Sequence, residues 1–149
     1  MKNRGDEIIH DTHLSENILS ELYPRIPSPP LSNPLDFSAF EGSYTHHAYP
    51  ELRISSNCTT RSRSYQVLNR TTPDLCVSLA QPNDYSKDME WGLFHVSGTC
   101  WLQIAVRSGD SSAARAEFLI SSDGSISRLG VEIEPAMAAR GGKIWWKRV

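Results

Sequence analysis

Tyr44, His46, His47 and Tyr49 form the densest grouping of reactive side chains in this 149-residue sequence. Two imidazoles beside two phenols offer hydrogen-bond donors, acceptors and nitrogens that titrate near neutrality. Such a group can line a cavity mouth and bind a carboxylate or carbonyl. The same rings suit a second role, because Tyr and His tips sit well at half-wet edges. On that reading the segment is a turn whose rings cover the end of a domain. His95 lies between Phe94 and Val96 with no carboxylate or hydroxyl close in sequence, so it is expected to be a satisfied strand histidine rather than a base. His10, Asp11 and His13 bring metal-type ligands together, but in a polar terminal tail where a further ligand would have to come from elsewhere. No metal or cofactor is expected.

Cys58, Cys76 and Cys100 are an odd number with wide spacing and no CxxC pair. Cys76 and Cys100 fall in apolar strand patterns, where a thiol commonly acts as a small buried hydrophobe. Asn57-Cys58-Thr59 and Asn69-Arg70-Thr71 are N-glycosylation sequons, at Asn57 and Asn69, meaningful only in a secreted chain. The formal charge is -2, which gives no pull toward nucleic acid or an anionic membrane. No apolar run approaches the length needed to cross a bilayer. The polar, acidic start MKNRGDEIIHDTHL does not read as a secretory leader, so the chain as written is expected in the cytoplasm. An extracellular location is expected instead if it is the tail of a longer secreted protein.

Three zones position these residues. Residues 1–36 are a polar tail, a short helix over Ser15–Leu22 with Ser15 as N-cap, and a linker of five prolines over residues 24–36. Residues 37–149 alternate with period two and break often, which predicts an all-β antiparallel barrel or sandwich of seven or eight strands. Strands are expected at Glu51–Ser55, Tyr65–Asn69, Leu75–Ala80, Trp91–Val96, Thr99–Arg107 and Lys143–Val149, the second and third joined in a hairpin through residues 70–74 and the fourth and fifth through Ser97-Gly98, with Ser108–Arg115 as a flexible loop. Asp123-Gly124 joins Ala116/Phe118/Ile120 to Leu129/Val131/Ile133 in a hairpin.

The run Gly42-Ser43-Tyr44-Thr45-His46, followed by Ala48-Tyr49-Pro50 and Leu52, resembles a "GxYxHPAYGxL" opening. That opening belongs to the lipocalin-like C-terminal domain of fungal β-lactamase-related, penicillin-binding-protein-like serine hydrolases. The Ala116–Ile120, Asp123-Gly124, Leu129–Glu134 and Lys143–Arg148 segments look like the same domain's ending, and the resemblance spans about Leu22–Val149. His47 stands where that family usually has Pro. The resemblance implies an antiparallel, lipocalin-like β-barrel of about eight strands. The family's chemistry needs Ser-x-x-Lys, in which the amine helps deprotonate the hydroxyl. Lys2 has nothing three positions before it, and Lys87, Lys143 and Lys147 have Asp84, Arg140 and Ile144. No Tyr-x-Asn or Lys/His-x-Gly partner is recognisable either. The resemblance therefore implies a non-catalytic accessory barrel, not an enzyme on its own.

On the β-strand alternation, Trp146 shares a face with Ile144 and belongs to the core, while Trp145 points outward with Lys143 and Lys147. Trp101 lies opposite Cys100, Leu102, Ile104 and Val106, so with that apolar set facing in it too is expected outside. Two outward tryptophans suggest a contact surface for a β-lactamase-like catalytic domain or a second copy of the chain. The other reading is a small-molecule-binding or metabolite-processing barrel of secondary metabolism, with a small apolar ligand inside and Tyr44, His46 and His47 at the rim. An inward set of full-sized Leu, Ile, Val, Phe and Cys favours a filled barrel.

Overall fold

In a computed structural model, described over residues 14–81, 89–108, 110–133, 140 and 142–149, eight antiparallel strands close into one barrel. They are β1 (Gly42–Thr45), β2 (Leu52–Ser55), β3 (Leu75–Leu79), β4 (Met89–Ser97), β5 (Cys100–Arg107), β6 (Asp110–Ile120), β7 (Ile126–Val131) and β8 (Ile144–Arg148). Each strand pairs with its neighbours in sequence, and β1 closes the ring on β8 through Tyr44 opposite Arg148. Closure removes the sheet edges that would otherwise invite pairing with other chains.

The turns follow the chemistry expected of them. Gly124 takes φ +88, its N–H donates to the Ser121 carbonyl, and Asp123 accepts from the Ser125 N–H, which together fold β6 back onto β7. Gly98 takes φ +57 between β4 and β5. Two segments differ from their sequence reading. Tyr65–Asn69 is no strand: Arg63–Leu68 is a 3-10 helix, capped by Ser62 and ended by Asn69 in the left-handed region. Residues 110–115 are no loop but the start of β6, paired to β5 all the way from Asp110 opposite Arg107 to Glu117 opposite Cys100. Small side chains at Ser111 and Ala113 let the 3-10 helix approach, and the Ser64 and Ser111 hydroxyls hydrogen-bond across that contact.

The core has two parts. One cluster draws Tyr44, Leu52, Leu75, Leu93, Trp101, Phe118, Leu129 and Trp146 from all eight strands, so it fills the barrel, and Phe40 plugs one end. The second lies outside β4 and β5, where Phe94, Val96, Leu102 and Ile104 are buried beneath Tyr65 and the N-terminal segment. Helix α1 (Ile18–Leu22) is shorter than expected and starts after Asn17, while Ser15 instead accepts from the Asn17 N–H. Its Leu19 and Leu22, with Tyr23 and Ile26, cover that outer face. The proline-rich stretch is tied down as well. The Leu31 N–H donates to the Ser97 hydroxyl at 2.9 Å, and the Gly98 N–H donates to the Leu31 carbonyl at 3.0 Å.

This second core reverses one expectation. β5 alternates as read from sequence, but Trp101 faces into the barrel and is fully buried, while Leu102 and Ile104 face out. Burial on both faces gives a strand two apolar sides, and alternation by itself does not say which side is inward. Cys76 also departs from the free-thiol expectation. It lies outside β3 and forms a disulfide with Cys58, with Cα atoms 5.6 Å apart. Cys100 is the free cysteine.

Candidate functional site

His46, His47 and Tyr49 meet at one end of the barrel, on the turn that leads from β1 to β2, while Tyr44 on β1 points away to Phe40 and Phe118. Tyr44 belongs to the core rather than to a rim: it is fully buried, and its hydroxyl donates to the Phe40 carbonyl at 2.6 Å. Burial pushes its phenol up to about 12. The turn is built on His46, whose Nδ1 accepts the Ala48 N–H at 2.9 Å, leaving the neutral ring's proton on Nε2. The rings then stack in sequence. His47 lies on His46 with centroids 4.5 Å apart, and His46 meets Tyr49 edge-on at 5.0 Å. Both His46 and Tyr49 lean on Trp146, which in turn meets Trp91 at 6.0 Å. The Trp146 indole N–H donates to the Pro50 carbonyl at 3.2 Å. Among the described residues neither His46 nor His47 is hydrogen-bonded to a carboxylate or hydroxyl. This group is a lid of rings over an apolar barrel end.

His95 faces Trp101 inside the barrel, with its Nε2 2.8 Å from the Gly98 carbonyl. Its backbone N–H donates to Asp74, whose carboxylate also takes the Arg70 guanidinium, and Arg70 lies over the Phe94 ring. These contacts fasten the start of β3 to β4. Trp145 remains on the outer face, half-buried and paired with Gly130. His10, Asp11 and His13 lie outside the described residues.

A polar cluster that the linear sequence does not announce sits outside β5, β6 and β7. Arg115 holds Glu132 at 3.0 and 2.9 Å, and Lys143 reaches Glu132 at 3.3 Å and Glu117 at 3.8 Å. The Cys100 thiol and the Tyr23 hydroxyl border the same cavity of about 260 Å³. Burial and the nearby Glu117 charge raise the thiol's pKa, which favours its protonated form. The Tyr23 hydroxyl lies 2.7 Å from the Trp101 carbonyl and 3.2 Å from that of Ala116, so it anchors the N-terminal segment. Only strand register brings these residues together, since Cys100 pairs with Glu117 across β5 and β6. Among the described residues no group of three or more His, Cys, Asp or Glu side chains is placed to hold a metal.

The fold thus defines the class, a closed eight-stranded antiparallel barrel with each strand beside its sequence neighbours. Comparison goes no further: no family model, curated protein or solved structure matches the chain.

Proposed function

We propose that this chain is a non-catalytic accessory barrel, akin to the domain that trails β-lactamase-related serine hydrolases, and that it acts by packing beside a partner. The observation that carries this reading is the barrel's aromatic filling. Phe40, Tyr44, Trp101, Phe118 and Trp146 are each at most 1% exposed, and together they make a plug where a ligand carrier would keep a chamber. The ring lid at His46 supports it too, because among the described residues its imidazoles contact other rings and are hydrogen-bonded to no carboxylate or hydroxyl. Of the two tryptophans expected outside, only Trp145 stays on the outer face, half-buried, and on this reading it is the one that meets a partner, whether a catalytic domain or a second copy.

The test uses the purified chain with a chromogenic cephalosporin and an activated ester. No turnover above buffer is expected, and turnover abolished by His46→Ala overturns the proposal. A parallel titration with an apolar fluorophore reads the competing small-molecule function. Saturable binding that quenches tryptophan emission would favour the ligand-binding barrel.

A further inference from the structure

Two unrelated features coincide on the loop between β2 and β3. The Cys58–Cys76 disulfide, spanning 18 residues, ties that loop to the outside of β3. Both N-glycosylation sequons fall within or beside the span it closes. Asn57 and Thr59 are exposed at one end, and Asn69 and Thr71 are exposed at the other. Asn69 ends the 3-10 helix at φ +57, with its backbone N–H bonded to that helix. Among the described residues neither asparagine carboxamide is hydrogen-bonded, so both acceptor nitrogens are available. Disulfides persist where thiols are not kept reduced, which includes the compartment in which Asn-x-Thr sequons are glycosylated.

We propose that this loop carries N-linked oligosaccharides at Asn57 and Asn69, in a chain that matures through the secretory pathway. At each site the carboxamide nitrogen bonds to the anomeric carbon of an oligosaccharide carried on a polyisoprenyl diphosphate. The sugar's C–O bond to the diphosphate breaks, the polyisoprenyl diphosphate leaves with the electron pair, and the amide nitrogen gives up one proton. Separately, the Cys58 and Cys76 thiols lose two protons and two electrons to a disulfide-bearing oxidoreductase, which becomes the dithiol. The surroundings accommodate bulk, since Arg53 on β2 and Ser78 on β3 present exposed polar side chains beside the loop. In the closed ring of strands β3 stands across the barrel from β7. Glycans there leave the Gly130–Trp145 side clear, so the inference is independent of the partner reading.

The experiment places the full chain behind a cleavable secretory leader in a eukaryotic secreting cell. Secreted protein and cell extract are both digested with an endoglycosidase that removes N-linked sugars, and intact mass is measured. Two digestion-sensitive steps are expected. Asn57→Gln and Asn69→Gln should each remove one, as should Thr59→Ala and Thr71→Ala, which erase the sequons without touching the asparagines. A non-reduced peptide digest should join Cys58 to Cys76. A chain with no sugar-dependent mass in either fraction, or with Cys58 open to alkylation, overturns the proposal; a single step overturns it for the unmodified site.

Discussion

The Trp145 indole lies against the backbone of Gly130, its paired neighbour on β7, so closely that a Cβ at position 130 would stand 2.6 Å from the ring's Cζ3. The glycine makes room for the ring, which explains why an outer-face tryptophan is half-buried. Gly130→Ala forces the ring or the strand to move and should destabilise the barrel by about 1–3 kcal/mol, the usual cost of overpacking. Trp145→Ala should unfold nothing but weaken association with a partner. Thermal melts of both variants check the pair, and a Gly130→Ala protein that melts like the parent would contradict the contact.

Trp101 sits among Phe37, Phe40, Phe118 and His95 inside the barrel. Trp101→Ala should cost about 3–5 kcal/mol, the range for deleting a large core aromatic. Its indole N–H is buried with no partner among the described residues. Trp101→Phe removes that donor and keeps most of the ring, so it should cost less than the alanine variant. Denaturant midpoints of the two proteins decide the point. A tolerated Trp101→Ala would return this residue to the surface.

Loss of the Cys58–Cys76 bond should be felt throughout the barrel, because β3 is stitched between β2 and β4. Closing an 18-residue span removes unfolded-state entropy worth about 3 kcal/mol in the loop-closure account. Cys58→Ser with Cys76→Ser should lower stability by that order, and a reductant should do the same to the parent but not to the double variant. Equal stability with and without reductant would count against the bridge.

Alkaline pH should destabilise the fold in a defined window. Burial pushes the Tyr44 and Tyr65 phenols from 10.0 up to about 12. The folded chain therefore keeps these protons after the unfolded chain has released them. Their contribution is complete below pH of about 10 and is lost progressively as pH rises to about 12. Denaturation followed across that range should show falling stability, with a shallower fall in Tyr44→Phe. A flat profile would mean the phenols are not desolvated.

Local chemistry was legible wherever a single turn or strand decides it. Asp123-Gly124 and Ser97-Gly98 mark their hairpins because few residues accept the backbone angles those turns require. The β5 alternation likewise separates Trp101 and Gln103 from Leu102 and Ile104. The Tyr65–Asn69 and Ser108–Arg115 readings failed for a different reason. A six-residue 3-10 helix makes only about two turns, too few for its three-residue period to stand out, and small Ser and Ala side chains resemble loop until a long partner strand pairs with them.

By itself, the sequence determined the all-β class, the β4–β5 and β6–β7 hairpins and the sets of residues that share a face. Those follow from dihedral preferences and the period-two pleat, which act over a few neighbouring residues. Only the tertiary structure decided that Trp101 looks inward, that Cys58 reaches Cys76, and that Arg115, Glu132 and Lys143 form one network. Each of these depends on strand register, on barrel closure or on a distant segment covering a face. The N-terminal leucines and Tyr23 bury the outside of β4 and β5, and that cover is what gives β5 two apolar sides.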